Sequence, residues 1–177
     1  MSRTEIERRL APYLVLGPGA LAPRLSDDGA CLLTWNAPLD TINGQAVTHL
    51  PAIDQNTAMF FGRQVVDDQF GGMAFEEEGS RCAALLADPK VTTMIMGNHG
   101  VLVVGRSVAE TFNRLYYFER AAETYIRALQ TGRPLRVLSE AIAEKTAREW
   151  ETYPGFADAH LRELRAILDA EDPGYAA

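Results

Sequence analysis

The chain has 177 residues, of which 47% are hydrophobic and 23% charged, and its formal net charge is -7 at pH 7. This length predicts a single domain spanning residues 1–177 with a hydrophobic core of its own. An acidic chain without a basic patch offers little to neutralise phosphates, so we expect no nucleic-acid partner.

Cysteine usage and apolar runs bear on the compartment. The two cysteines, Cys31 and Cys82, lack CxxC spacing, so we expect neither a disulfide framework nor a thiolate metal site. No apolar run approaches the ~20 residues that span a membrane, and the charged start is unlike a signal peptide. GxGxxG and P-loop patterns are absent, so no nucleotide cofactor is expected. The expectation is a cytoplasmic protein without a membrane partner.

Short elements separated by turn formers fill the first half of the chain. Residues 31–35 (CLLTW) are typical of a strand, whereas the rest of 1–45 gives few signals. Residues 46–55 are predicted to be extended, 56–61 helical or turn-like, and 64–66 a strand. Residues 76–87 have the spacing of a half-buried helix, which Asp88 and Pro89 stop.

The second half of the chain carries clearer patterns. Two apolar strands, 91–96 and 101–104, are predicted on either side of a turn. Ser107 and Glu110 have the spacing of a capping box, so a long helix should begin at Val108 and end near Gly132. Two more helices are predicted at 139–152 and 157–169. The apolar face of the long helix should consist of Val108, Phe112, Leu115, Ala122, Ile126 and Leu129.

Strands early in the chain and helices late favour an α/β or α+β sandwich. The most suggestive site residue is His99, which lies in the turn between the two strands with Gly97 and Gly100 around it. A histidine in such a turn is held by rigid strands and can still reach a ligand, as a metal ligand or proton-transfer group. The alternative is a turn histidine that bonds local carbonyl groups.

The residues around His99 form part of a longer signature. Asn98-His99-Gly100, residues 105–110 (GRSVAE) and residues 116–122 (YYFERAA) follow in order, and residues 51–56 and 77–79 precede them. Together they resemble the class II aldolase/adducin family over about residues 50–177. The resemblance implies a three-layer α/β/α sandwich with a central mixed or antiparallel sheet. Residues 1–45 do not match, which implies an N-terminally shortened domain.

The same resemblance implies a chemistry. Class II aldolases cleave carbon-carbon bonds of small hydroxylated substrates, such as sugar phosphates, and usually assemble as homotetramers. Three histidines hold a divalent metal, zinc in the aldolases, that polarises the substrate carbonyl. His99 matches the third ligand. The other two form a His-x-His motif that this chain lacks, because its remaining histidines are His49 and His160.

A catalytic zinc normally needs three protein ligands. His49 could join His99, with Asp54, Asp40 or Cys31 as a further donor, which would be a rebuilt site. Tyr175 resembles a tail tyrosine that acts as a proton donor in some aldolases, although a frayed terminus is the alternative.

Other polar residues are interpreted structurally. His160 is expected to be a surface or capping residue on the last helix. Glu119 interrupts an apolar stripe and should be partly buried and paired with an arginine. Asp67 and Asp68 are expected in a solvated loop, and residues 76–78 at a helix start.

Three functions remain open from the sequence. The first is a class II aldolase-like protein related to metal-dependent lyases, with an incomplete metal site. The second is a non-catalytic, adducin-like module for self-association. The third is an altered enzyme that uses the same cleft with another ligand set or without metal.

Overall fold

The structure, a computed structural model, describes residues 24–25, 31–35, 49–69, 76–97 and 99–176. The strands are β1 (Arg24–Leu25), β2 (Cys31–Trp35), β3 (Gln64–Asp67), β4 (Thr93–Met96) and β5 (Gly100–Gly105). Within these ranges, the helices are α1 (Gln55–Ala58), α2 (Glu76–Leu85), α3 (Val108–Gln130), α4 (Glu140–Thr152) and α5 (Phe156–Glu171). A 3-10 turn, Pro173–Ala176, follows the last helix.

The five strands among the described residues form one mixed sheet in the order β1-β2-β5-β4-β3. β3 and β4 are parallel, and every other neighbouring pair is antiparallel. β4 and β5 are joined by the tight turn that the sequence predicts, with Ile95 opposite Val101. Parallel strands need a crossover connection, and α2 lies between β3 and β4 in the chain.

Alternating side chains of the strands face two different hydrophobic clusters, as the two-residue period of a strand requires. On one face, the strand residues and the helices contribute Ile95, Val101, Val103, Leu115 and Phe118. On the other face, Met94, Met96 and Leu102 pack with Cys82, Leu85 and Leu86 of the α2 region. The sheet therefore lies between α2 and α3, and the predicted three-layer α/β/α arrangement with a mixed sheet is confirmed.

α3 begins where the sequence predicts, but its cap and its buried face differ from the prediction. The Ser107 hydroxyl accepts from Glu110 N at 3.1 Å, whereas the Glu110 carboxylate accepts from Arg106 N at 2.8 Å and not from the capping serine. Val108 is 47% exposed, and the buried apolar residues are Ala109, Leu115, Phe118, Ala121 and Ala122. The apolar face is thus rotated towards Phe118, which meets Phe60 edge to face at 5.1 Å.

A second helix start lies at α1, which the sequence analysis places partly in an extended segment. Asp54 accepts from Thr57 N at 2.8 Å, and the Thr57 hydroxyl accepts from Asp54 N at 2.9 Å. This reciprocal pair is a capping box that uses threonine where glutamate is usual. It fixes the entry to a four-residue helix that leads into Phe60 of the core.

α4 is attached to the rest of the domain by the buried Ala143, which packs with Ala52 and Ala58, and by one buried arginine. Arg63, 3% exposed, donates from Nε and Nη2 to the two carboxylate oxygens of Glu151 at 2.8 and 2.9 Å. It also donates to Glu144 and to the Phe61 carbonyl oxygen. Glu144 and Glu151 are seven residues apart, so they share one face of α4, and Arg63 spans two helical turns.

Candidate functional site

The turn between β4 and β5 carries His99. Its backbone N–H donates to the Met96 carbonyl oxygen at 3.1 Å, and Met96 lies opposite Gly100 in the β4–β5 ladder. Gly97 N donates to the carbonyl oxygen of Asp67, the last residue of β3, at 2.8 Å. The His99 side chain is exposed. The structure therefore holds the backbone of this turn between three strand ends and presents the imidazole at the surface.

Asp67 lies at the same end of the sheet as His99, because β3 and β4 are parallel and Asp67 pairs with Met96. Its carboxylate is 2% exposed and accepts from Arg81 Nε at 3.1 Å. The prediction of a solvated loop is wrong for Asp67, whose position at the end of a buried strand forces its charge to be paired. It holds for Asp68, which is exposed.

The other predicted ligands lie elsewhere. His49 is exposed, and its neighbour Leu50 is hydrogen-bonded to the side chain of Gln64, the first residue of β3, whereas the His99 turn is tied to the last residue of that strand. Asp54 uses its carboxylate as the cap of α1.

The side chains of the three remaining candidates lie outside the described part of the structure. Cys31 is described through the backbone of β2 alone, and Asp40 lies outside the described residues. Tyr175 lies in the 3-10 turn, and its side chain also lies outside the description. In the part of the chain that the structure describes, no three His, Cys, Asp or Glu side chains are grouped so that they could hold a metal ion. The donors described around His99 do not fit a three-ligand metal site.

The third histidine has a structural role that the sequence analysis did not predict. His160 is half-buried between α5 and α3, with its Nδ1 2.8 Å from Asn113 Oδ1. Its ring meets those of Tyr116 and Phe112 at centroid distances of 4.6 and 5.9 Å. Burial lowers the pKa of His160. The expectation of a surface or capping residue is wrong, because the apolar side of α5 places this ring inside the helix contact.

No described helix has both the length and the apolar character needed to cross a membrane.

Glu119 is half-buried on α3, as its place in the apolar stripe predicts.

Comparisons with known proteins agree with this fold. The family model "Class II Aldolase and Adducin N-terminal domain" matches residues 35–126, more than half of the chain. A protein of Caulobacter vibrioides, described as a putative aldolase class 2 protein, is 31% identical over 124 residues, which are 64% of this chain and 44% of the relative.

Solved structures resemble the chain over most of its length. An aldolase II superfamily protein from Pseudomonas syringae superimposes with a TM-score of 0.73 at 24% identity, covering 83% of this chain and 59% of that one. An L-fuculose 1-phosphate aldolase from Glaciozyma antarctica gives a TM-score of 0.63 at 18% identity, covering 80% and 53%. The chain thus spans about half the length of these relatives.

The family match begins at residue 35, earlier than the resemblance near residue 50, and it includes the His99 turn and most of α3. The fold, the turn and the matched region agree: this chain belongs to the class II aldolase and adducin N-terminal domain family.

Proposed function

We propose that this chain is an aldolase-type domain related to metal-dependent lyases that cleave carbon-carbon bonds of small hydroxylated, sugar-phosphate-like substrates. His99 is its recognisable ligand for zinc or another divalent metal, and the ligand set within one chain is incomplete. The observation that carries the proposal is the exposed His99 side chain on a turn held by β3, β4 and β5, inside the region that the family model matches.

The number and positions of the histidines support an incomplete set of metal ligands. The chain has three histidines, and His160 is engaged with Asn113 in the contact between α3 and α5. His49 and His99 are both exposed, but their neighbouring backbone is anchored at opposite ends of β3, about 10 Å apart along the strand. A zinc ion bound through one or two imidazoles should be held far more weakly than one with three protein ligands.

Zinc titration by calorimetry of the wild type, His99→Ala and His49→Ala tests this proposal. We expect a dissociation constant in about the micromolar range or weaker, against the roughly nanomolar or tighter binding of complete structural zinc sites. We also expect that His99→Ala abolishes the binding and that His49→Ala leaves most of it. Tight zinc binding that survives His99→Ala would contradict the proposal.

The same titration separates the alternatives. Tight binding lost in both variants would favour the altered enzyme with a ligand set rebuilt around His49 and His99. An assay of aldehyde release from phosphorylated hydroxy-substrates, with and without metal, completes the comparison. We expect that any metal-dependent release of aldehyde is reduced by His99→Ala.

A non-catalytic association module is the second candidate. It is favoured by large apolar side chains that the described chain leaves exposed, such as Val137, Ile142 and Ile167, each more than half exposed. This candidate requires that such side chains be buried between subunits, so it predicts a homo-oligomer. Light scattering tests it, and a stable monomer at high micromolar concentration would exclude it.

A further inference from the structure

A cleft of about 330 Å³ lies at the end of the sheet opposite His99. Thr92, just before β4, and Arg106, just after β5, both line it, whereas His99 lies in the turn where β4 meets β5. The six residues of β5 separate these two ends by roughly 17 Å along the strand. The cleft is therefore distinct from the His99 turn.

One wall of the cleft carries two guanidinium groups that share one carboxylate. Glu110 accepts from Arg106 Nε at 3.1 Å and from Arg114 Nη2 at 2.7 Å. These two cations outnumber the one anion that they share, whereas the whole lining, with Arg63, Glu151 and Asp158, has three arginines and three acidic side chains. An anionic group that enters the cleft would meet charge-assisted donors there.

Arg114 is the more buried of the two cations. Its side chain is 13% exposed, and a second guanidinium nitrogen donates to the Val104 carbonyl oxygen. Burial lowers the pKa of Arg114, although the neighbouring Glu110 and Glu151 both raise it. A ligand carboxylate beside Arg114 would replace the hydration that burial removes from its guanidinium group.

Part of the cleft wall is aromatic. Trp150 and Phe156 meet edge to face at 5.1 Å, and both line the cleft together with Phe60. Tyr153, 66% exposed, also lines it. Aromatic walls bind apolar or aromatic ligand bodies, while a few polar groups fix the orientation.

Two acidic side chains limit the charge of the ligand. Glu151 and Asp158 also line the cleft, and Glu151 is already bound by Arg63. Their negative charge disfavours a dianion, such as phosphate, more than a monoanion. The volume is at the small end of the range for ligand pockets, which is about 300–1,000 Å³.

We propose that this cleft binds a small monocarboxylate with an aromatic or apolar body. The carboxylate lies against Arg106 and Arg114, and the body lies against Trp150 and Phe156. The proposal does not depend on the function of the His99 turn.

Titration of the full chain with phenylacetate, followed by NMR of the Trp150 indole N–H, tests the site. We expect saturable shifts with a dissociation constant of about 1 mM or tighter. Arg114→Gln should weaken binding at least about tenfold, because it removes a buried charge-assisted donor. Arg106→Gln should weaken it less, and it keeps the test valid if Arg114→Gln does not fold, because Arg106 is 86% exposed.

Three controls decide the outcome. Arg127→Gln removes an exposed arginine that is also paired at i,i+4, with Glu123, and it should leave phenylacetate binding unchanged. Phenylacetamide keeps the body without the charge and should not bind. Inorganic phosphate should bind more weakly than phenylacetate. Equal binding of the amide, insensitivity to both arginine variants, or tighter binding of phosphate would overturn the assignment, as would the absence of saturable shifts.

Discussion

The two ends of the sheet differ in how much polar chemistry the described residues place there. Where β3 and β4 end, there is one exposed imidazole, His99, and one buried ion pair, Asp67 with Arg81. Where β4 begins and β5 ends, Arg63 and its neighbours form a dense set of ion pairs beside a cleft. The described ion pairs are thus concentrated at the end of the sheet away from His99. Variants at the two ends should therefore differ in their effect on the free energy of unfolding.

The largest effect is expected from Gly105→Ala at the end of β5. A Cβ there would lie 2.5 Å from Thr111 Oγ1 and 2.8 Å from the Thr111 backbone nitrogen, so α3 would have to shift. We expect a loss of about 3 kcal/mol in the free energy of unfolding, measured with urea. The matched control is Gly79→Ala in α2, where nothing lies within 4 Å. It should be neutral or stabilising by about 0.5–1 kcal/mol.

Removal of the buried guanidinium should have the next largest effect. Arg63→Met leaves Glu144, Glu151 and the Phe61 carbonyl oxygen without their shared donor. We expect a loss of about 2 kcal/mol in the free energy of unfolding. This is below the usual cost of breaking a fully buried ion pair, because both glutamates reach solvent. Arg148→Met removes an exposed partner of the same Glu144 and should cost at most about 0.5 kcal/mol. Equal losses for the two variants would show that the burial of Arg63 adds nothing to the stability.

The same network should make the domain sensitive to acid. Hydrogen bonds from Arg63, then from Arg148, lower the pKa of Glu144 from 4.5 to about 2. A carboxyl with a lowered pKa adds stability above its unfolded value, and that stability is lost as the pH falls from about 4.5 to about 2. Urea midpoints should therefore fall less steeply for Glu144→Gln than for the wild type over this range. Parallel profiles would contradict the assignment.

The smallest effect should come from His160. Burial lowers its pKa below 6.5, so the unfolded chain takes up a proton before the folded chain does. Stability from this group is complete above pH 6.5 and declines as the pH falls towards the lower folded value. NMR titration should place the His160 midpoint below 6.5, and His160→Gln, which retains a donor for Asn113, should flatten the decline. A midpoint at or above 6.5 would refute the expected burial effect.

Local patterns predicted much of this fold. The turn at His99 and the start of α3 at Ser107 follow from turn formers and a capping residue that act over a few positions. The prediction for the buried face of α3 is less accurate, because Val108 and Leu129, near the two ends of the helix, are 47% and 40% exposed.

The ion pairs could not be predicted in the same way. Arg63 meets Glu144 and Glu151 across 81 and 88 residues, a distance in sequence over which periodicity carries no information. The burial of Asp67 likewise depends on Arg81, which a crossover helix brings back to the strand end. Of the candidate site, the position of His99 could be predicted, whereas its surroundings required the three-dimensional arrangement.

The last helix has a consequence for motion. No residue of α5 is fully buried, and it is attached chiefly through the ring of His160 and its neighbours on α3. Such a helix can detach in a local unfolding event without opening the sheet, so its amides should exchange with deuterium well before those of β4 and β5. Because Phe156 begins this helix, each such event would also remove one side of the aromatic wall and release whatever it holds.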